Sequence, residues 1–239
     1  MWPLVTREAP SRVRADAAAI ELALVLTPPE GIPPSRARRT LDVVVALVAL
    51  GCAAALMLAL VVATRLSTGG SAVYRQRRVG QGGTPFTLYK FRTMRPDVAG
   101  PEVTAPGDRR VTRLGALLRR TSLDELPQFV NVLLGHMTLV GPRPESVALA
   151  RRYPAELTSV FLYRPGVTGP SQVLVRDETV LGHAADVEEF YLRELVPHRV
   201  AMDLRFLQNP TLAATIRWLL VTACYLAGVA RHRGSPTGK

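Results

Sequence analysis

The sequence predicts a mostly helical α/β protein held at a membrane, with a small core behind one apolar N-terminal helix. Three observations predict it. Val43 to Ala63 is a run of 21 residues without a charge. Ala72 to Arg92 carries the pattern of a hairpin around a glycine-rich turn. Beyond it, apolar residues recur at helical spacing in segments separated by Gly/Pro loops.

Composition sets the limits. The chain has 239 residues, is 48% hydrophobic and carries a formal charge of +11. That length allows one substantial domain with appendages and a sizeable core. The two cysteines, Cys52 and Cys224, both lie in apolar runs, and nothing in them suggests a disulfide scaffold. His136, His183, His198 and His232 are scattered without metal-ligand spacing, which argues against a His/Cys metal site. Arg36, Arg38, Arg39, Arg65, Arg75, Arg77 and Arg78 flank the apolar run, against Asp42 alone. Such placement suits anionic headgroups and phosphorylated substrates. Nucleic acid is not an expected partner, because no motif interleaves aromatics with the basic residues.

Residues 1–35 read as a tail without fixed structure, punctuated by Pro3, Pro10, Pro28, Pro29, Pro33 and Pro34. Arg14 to Leu26 has the composition of a short helix. Asp16 and Glu21 interrupt its apolar part and no cleavage pattern follows, so it reads poorly as a signal peptide. Residues 36–66 form the expected membrane helix, since about 20 apolar residues suffice to span a bilayer. Arginines on both flanks favour one side for both ends. A helix that enters and turns back satisfies that, with Gly51 as the weak point. A plain transmembrane span is the alternative. Asp42 is expected to pair with a neighbouring arginine at the interface.

The core is expected over 67–207. Gly80-Gln81-Gly82-Gly83-Thr84-Pro85 is the turn of the hairpin, and Phe86, Leu88, Tyr89 and Phe91 suit an extended strand. Lys90 and Arg92 emerge among these aromatics. Their bland reading is a strand edge protected by charge. Asp97 to Asp108 is loop-like. Val111 to Arg120 is amphipathic, with Leu114, Leu117 and Leu118 on one side. Glu188 to Leu207 is helical and Asn209-Pro210 ends it. Residues 208–230 hold an apolar helix expected to lie at the membrane interface, and 231–239 form a basic tail.

The candidate chemistry lies in Thr121 to Gln128. Asp124 and Glu125 sit between Arg119-Arg120 and a segment where Phe129, Val130, Leu133 and Leu134 recur at helical spacing. With Asp124 as N-cap, Pro127 falls in the first turn, where a missing donor costs little. Both acids then face the positive end of a helix, which also attracts phosphate. The bland reading is a capping box of Ser122 and Glu125. In Gly141-Pro142-Arg143-Pro144-Glu145, two prolines hold Arg143 in an extended backbone. A rigidly presented guanidinium suits phosphate or carboxylate. Arg164 to Gln172 is a second Gly/Pro loop led by an arginine.

Taken in order, five segments carry a resemblance. They are Arg75-Gln76 with Arg78-Val79-Gly80, Pro85 to Met94, Arg119 to Gln128, Leu139 to Glu145, and Arg164 to Gly169. The sequence resembles the bacterial sugar transferases, monotopic phosphoglycosyl transferases that load a sugar phosphate onto polyprenyl (undecaprenyl) phosphate. The resemblance covers about residues 36 to 230 and raises the catalytic reading of Asp124 above the capping one. It implies a re-entrant membrane helix, interfacial helices and a small α/β catalytic core facing the cytoplasm from the bacterial inner membrane. It implies a nucleotide-sugar donor, and Asp124 as nucleophile at the sugar-bearing phosphorus. Glu125 is implied as metal ligand or base, and Asp124 with Glu125 as ligands of Mg²⁺. Lys90, Arg92, Arg119 and Arg143, with Pro142, Pro144 and Gln128, are implied as the phosphate and nucleotide site. The chain departs from the family's pattern at Ala54-Ala55, where Ser-Pro is usual, at Ser71, where Pro is usual, and at His136, where an acid is usual. A non-catalytic basic scaffold and a lipid-phosphate phosphatase are the alternatives.

Overall fold

The computed structural model describes residues 31–228, apart from 97, 99, 101, 105, 106 and 176–185. Most of the N-terminal tail, the short helix expected in it, the basic tail, His183 and His232 lie outside the described residues. What is described is mostly helical, with two small sheets.

Helix α1, Arg36–Thr68, has 33 residues, two more than expected. Ser35 caps it, accepting from the Arg38 N–H, and Gly69 closes it in the left-handed region at φ 69°. The helix runs unbroken through Gly51, Ala54 and Ala55. Alanine is the best helix former, and one glycine costs only about 1 kcal/mol. By length and composition α1 could cross a membrane. Yet both of its ends pack on the same body. At the N-terminal end, Arg38 donates to the Val140 carbonyl at 2.7 Å, and Arg39 to those of Val132 and Leu133 at 2.6 and 2.9 Å. Asp42 is fully buried and does not form the expected ion pair at a membrane interface. It accepts from the Leu139 N–H at 2.9 Å and the Thr138 hydroxyl at 2.8 Å. At the other end, Leu60 and Met57 pack with Phe91 and Leu118, and Ser67 donates to Thr112. Between the ends, Leu47, Val48, Leu56, Leu58 and Val62 are exposed.

The hairpin is present as expected. Strand β1, Val73–Val79, pairs antiparallel with β2, Pro85–Phe91, and Tyr74 lies opposite Lys90. Gly82 and Gly83 turn the chain at positive φ. Helix α2, Arg113–Thr121, starts at a Thr112 cap that accepts from the Gly115 N–H. Leu118 is buried, but Leu117 is 45% exposed and off the apolar side where it was expected. Helix α3, Gln128–Leu133, is tied to β2 by Asn131, which is fully buried. Its amide donates to the Thr87 carbonyl at 2.7 Å and accepts from the Tyr89 N–H at 3.0 Å.

A second, parallel pair is not signalled in the sequence: β3, Thr138–Val140, with β4, Gly166–Thr168. Both segments are short and lie next to Gly/Pro loops, so no period-2 pattern develops. Gly166 is required here, since a Cβ would strike the Gly141 backbone. Helices α4, Val147–Ala150, and α5, Pro170–Leu174, follow β3 and β4. Helix α6, Val187–Phe190, runs through a π turn, Tyr191–Leu195, into α7, Val196–Leu207. Pro197 has no N–H to give the ladder there, which accounts for the widened turn. Helix α8, Leu212–Leu226, is apolar, with Leu212, Ile216 and Leu220 exposed. Cys52 and Cys224 are free and exposed.

Asn131→Ala should lower stability by about 1–3 kcal/mol, because it leaves a part-buried carbonyl and a part-buried N–H of β2 without their side-chain partner. Thermal unfolding checks this, and an unchanged midpoint would remove Asn131 as the tie between α3 and the hairpin.

Candidate active site

Thr121 ends α2 and Ser122 takes φ 57°, the one non-glycine residue with positive φ among the described residues. That residue turns the chain into a single 3₁₀ turn, Leu123–Glu125. Asp124 is therefore not an N-cap. Pro127 stands at the N-cap of α3 instead of inside its first turn. The Ser122–Glu125 capping box does not form either, since Ser122 makes no side-chain cap bond. Its left-handed backbone closes α2 in place of opening the next helix. The Glu125 side chain is thereby released to reach Lys90, whose Nζ donates to Oε1 at 2.8 Å.

Two consecutive carboxylates thus have different surroundings. Asp124 is 8% exposed. Burial pushes its carboxyl up to about 6, with Lys90 and Arg119 pulling down and the Glu125 charge pushing up. Burial alone would raise Glu125 too. The Lys90 ammonium, with Arg143 and a Gln128 hydrogen bond, holds it below the usual carboxylate range. The pair is thereby split, one acid kept charged and the other poised near neutrality, an arrangement typical of catalytic carboxylates.

Glu125, Lys90, Gln128, Arg143 and Pro144 share one cleft with Leu88, Arg78 and Gln172. Residues from β2, the 3₁₀ turn, α3 and the Pro-Arg-Pro loop are thus brought together. Pro142 and Pro144 are buried, and their carbonyls accept from the Gly166 N–H at 2.8 Å and from Arg78 at 3.1 Å. Both prolines hold the backbone and leave Arg143 half-buried at the cleft. Asp203 of α7 supports the same loop. It accepts from the Ser171 hydroxyl at 2.7 Å, the Ser171 N–H at 3.1 Å and the Arg143 N–H. Its burial pushes its carboxyl up to about 6.

Arg119 stands beside Asp124 and donates to the Thr93 hydroxyl at 2.9 Å. Of the expected set, Asp124, Arg119, Pro142 and Arg92 do not line this cleft, and Arg92 points elsewhere. It donates to the Ser71 carbonyl at 2.8 Å, lies over the Tyr74 ring and is not part of the cleft wall. Arg78, a flanking charge and part of a matched segment in the sequence but not among the expected site residues, also lines the cleft. Its Nη1 reaches Glu145 at 3.5 Å, and its buried Nε has no hydrogen-bond partner. Gln172 was likewise read only as part of a loop. Two guanidiniums and an ammonium line one cleft, where the buried Arg78 Nε is unmet, so positive charge is concentrated there.

A raised carboxyl holds its proton below its pKa and is charged above it. Asp124 and Asp203, both pushed to about 6, also bind protons more tightly folded than unfolded. Their contribution to stability is therefore fully present below the ordinary carboxylate range and is lost as pH rises through about 6. Carboxyl ¹³C resonances of labelled aspartate should show two groups titrating near pH 6. One should disappear in Asp124→Asn and the other in Asp203→Asn. Titration of both in the ordinary carboxylate range would contradict the burial argument.

The chain's relatives accord with this geometry. The profile described as "Bacterial sugar transferase" matches residues 34–228. A UDP-glucose:undecaprenyl-phosphate glucose-1-phosphate transferase of Caulobacter vibrioides is 40% identical over 190 residues, covering 77% of this chain and 67% of that protein. A UDP-N-acetylgalactosamine-undecaprenyl-phosphate N-acetylgalactosaminephosphotransferase of Aeromonas hydrophila is 39% identical over 158 residues, 64% of this chain and 36% of that protein. A UDP-glucose:undecaprenyl-phosphate glucose-1-phosphate transferase of Escherichia coli is 40% identical over 141 residues, 57% of this chain and 30% of that protein. This chain thus spans about a third of the last two. With a profile match over most of its length, the chain belongs to the bacterial sugar transferase family.

Proposed function

We propose that the protein transfers a sugar 1-phosphate from a UDP-sugar to undecaprenyl phosphate, through a covalent phosphosugar on Asp124. The observation that carries this reading is the divided pair: a buried Asp124 next to a Glu125 held charged by Lys90, on a cleft walled by Arg78 and Arg143. The substrate classes come from what the relatives are named for.

In the first step an Asp124 carboxylate oxygen attacks the sugar-bearing phosphorus. The bond to the bridging oxygen breaks, and UMP leaves with the electron pair. An acyl phosphate joins Asp124 to the sugar phosphate. In the second step an oxygen of undecaprenyl phosphate attacks the same phosphorus, releasing undecaprenyl-diphospho-sugar and the free carboxylate. Arg143, Arg78 and Lys90 would neutralise the diphosphate and hold it in line, which is most of what phosphoryl transfer needs from a protein. Arg119 would steady Asp124. Glu125, kept ionised, would serve as metal ligand or base.

The donor set suits Mg²⁺, which takes one or two carboxylates and completes its shell with water and substrate phosphate oxygens. No cluster of three or more His, Cys, Asp or Glu residues forms a cage among the described residues. Asp124 and Glu125 would hold the ion, and it would supply charge neutralisation at the diphosphate. Such transfer begins assembly of a polysaccharide or glycoconjugate on the lipid.

The exposed apolar middle of α1 and the apolar α8 support a seat on a membrane in this reading. Because both ends of α1 pack on one body, both arginine-rich flanks belong on one side. The positive-inside bias, and a donor that is soluble in the cytoplasm, make that side the cytoplasmic face of the inner membrane.

Three outcomes follow. Asp124→Asn should abolish UMP release from UDP-sugars while the protein stays folded and membrane-bound, and near-normal release would refute the nucleophile. Arg143→Ala should cut kcat/KM for the donor by roughly 10–100-fold, as for loss of a charge-assisted bond; unchanged kinetics would leave Arg143 a structural turn. Cysteines placed at Ser35 and Ser71 should both resist labelling from outside intact cells. Labelling at Ser35 alone would establish a true span.

A further inference from the structure

A second cavity lies on a different set of elements from the cleft. It encloses about 320 Å³, within the range of small-molecule sites. Its walls include Ile32 and Pro34 ahead of α1, Tyr163 and Arg164 ahead of β4, Leu207 at the end of α7 and Pro210 ahead of α8. None of these residues lines the cleft beside Glu125.

Its charge is unbalanced. Arg38 lines the cavity, is 3% exposed, and has one guanidinium nitrogen on the Val140 carbonyl. Its buried Nε has no hydrogen-bond partner. Arg164 lines the cavity and gives its Nε to Gln81 at 3.1 Å. Burial, and then the charge of Arg39, push the Arg164 guanidinium below its ordinary value. The one carboxylate acting on Arg164, Asp42, already has both oxygens engaged by Thr138 and Leu139. Three arginines thus face one acid whose hydrogen-bonding capacity is taken up within the fold. A buried guanidinium donor without a partner is costly unless an anion meets it.

The position of the cavity points to an anion carried on an apolar chain. Both apolar helices begin at its rim: α1 starts at Arg36, two residues after Pro34, and α8 at Leu212, two residues after Pro210. The two helices also touch one another. An anion here has apolar surface leading away from it on both sides. A headgroup phosphate whose acyl or prenyl chain follows those helices fits this arrangement, whereas a soluble ion would leave the apolar walls unused.

We propose that this cavity binds the phosphate of a membrane lipid through Arg38 and Arg164, at a site separate from Asp124. The carrier is either a bulk anionic phospholipid or a polyprenyl phosphate, which share the phosphate and the apolar chain. The proposal does not rest on the transfer chemistry, because binding is read without turnover.

The test is lipid retention by the full chain, measured by native mass spectrometry from nonionic detergent. The ligands are phosphatidylglycerol, undecaprenyl phosphate, diacylglycerol and inorganic phosphate. At least one phosphate-bearing lipid should be retained, and the tighter of the two names the carrier. Arg38→Gln and Arg164→Gln should each weaken that retention by roughly tenfold or more. Arg164→Gln loses only the bond to Gln81, so it keeps the test valid should Arg38→Gln fail to fold. Equal retention in both arginine variants, equal retention of diacylglycerol, or displacement of the lipid by an equal concentration of inorganic phosphate would each overturn the proposal.

Discussion

The ion pair between Lys90 and Glu125 is the contact on which the site depends. Consecutive acids on a short turn repel each other, and burying one of them raises its cost further. A cation held at 2.8 Å from Glu125 lets the pair persist, with Glu125 charged and Asp124 buried beside it. That cation has to come from elsewhere in the chain. Strand β2 presents Lys90, and the hairpin with β1 fixes the strand. Asn131 locks α3 to the same strand, so the 3₁₀ turn ahead of α3 arrives at Lys90 in register.

The opposite wall of the cleft depends on a second buried acid. Asp203 of α7 accepts from both donors of Ser171 and from the Arg143 backbone, so the Pro-Arg-Pro loop is set against the C-terminal helices. Glu145, next along that loop, is 3% exposed and takes Arg78, Tyr153 and Tyr191. Two carboxylates without any proposed chemical role thus hold the cationic wall in place. Buried polar groups of this kind are tolerated only when fully engaged, which ties the loop rigidly to the core. Helix α1 completes the arrangement, since its N-terminal end buttresses β3 and α3 and its C-terminal end packs on β2 and α2.

Much of this was legible in the sequence. The hairpin announced itself through its glycine turn and aromatic strand. The apolar run gave α1, and Pro-Arg-Pro marked a rigid cationic loop. Glu125, Lys90, Gln128 and Arg143 are named from motifs and line one cleft, with Asp124 buried next to Glu125. The misses have physical causes. Ser122 in the left-handed region converts an apparent capping box into the end of one helix, and no rule of spacing reports a positive φ at serine. Arg92, two residues after Lys90, could have shared its face, but the strand ends at Phe91 and the side chain turns to Ser71. Arg78 and Asp203 act through burial between distant segments, which a linear pattern does not record. The parallel pair of β3 and β4 is too short to show a period. Asp42 was assigned to a membrane surface because it precedes an apolar run, yet it serves the fold as an acceptor for β3.

The central claim is that Asp124 carries the sugar phosphate between donor and acceptor. The most direct measurement is the intact mass of the protein, quenched after mixing with a UDP-sugar when no undecaprenyl phosphate is present. The account predicts a gain of one sugar phosphate per chain, located on the peptide containing Asp124 and discharged when undecaprenyl phosphate is added. A chain that gains no mass yet forms UMP once the acceptor is supplied would instead point to direct displacement and contradict it.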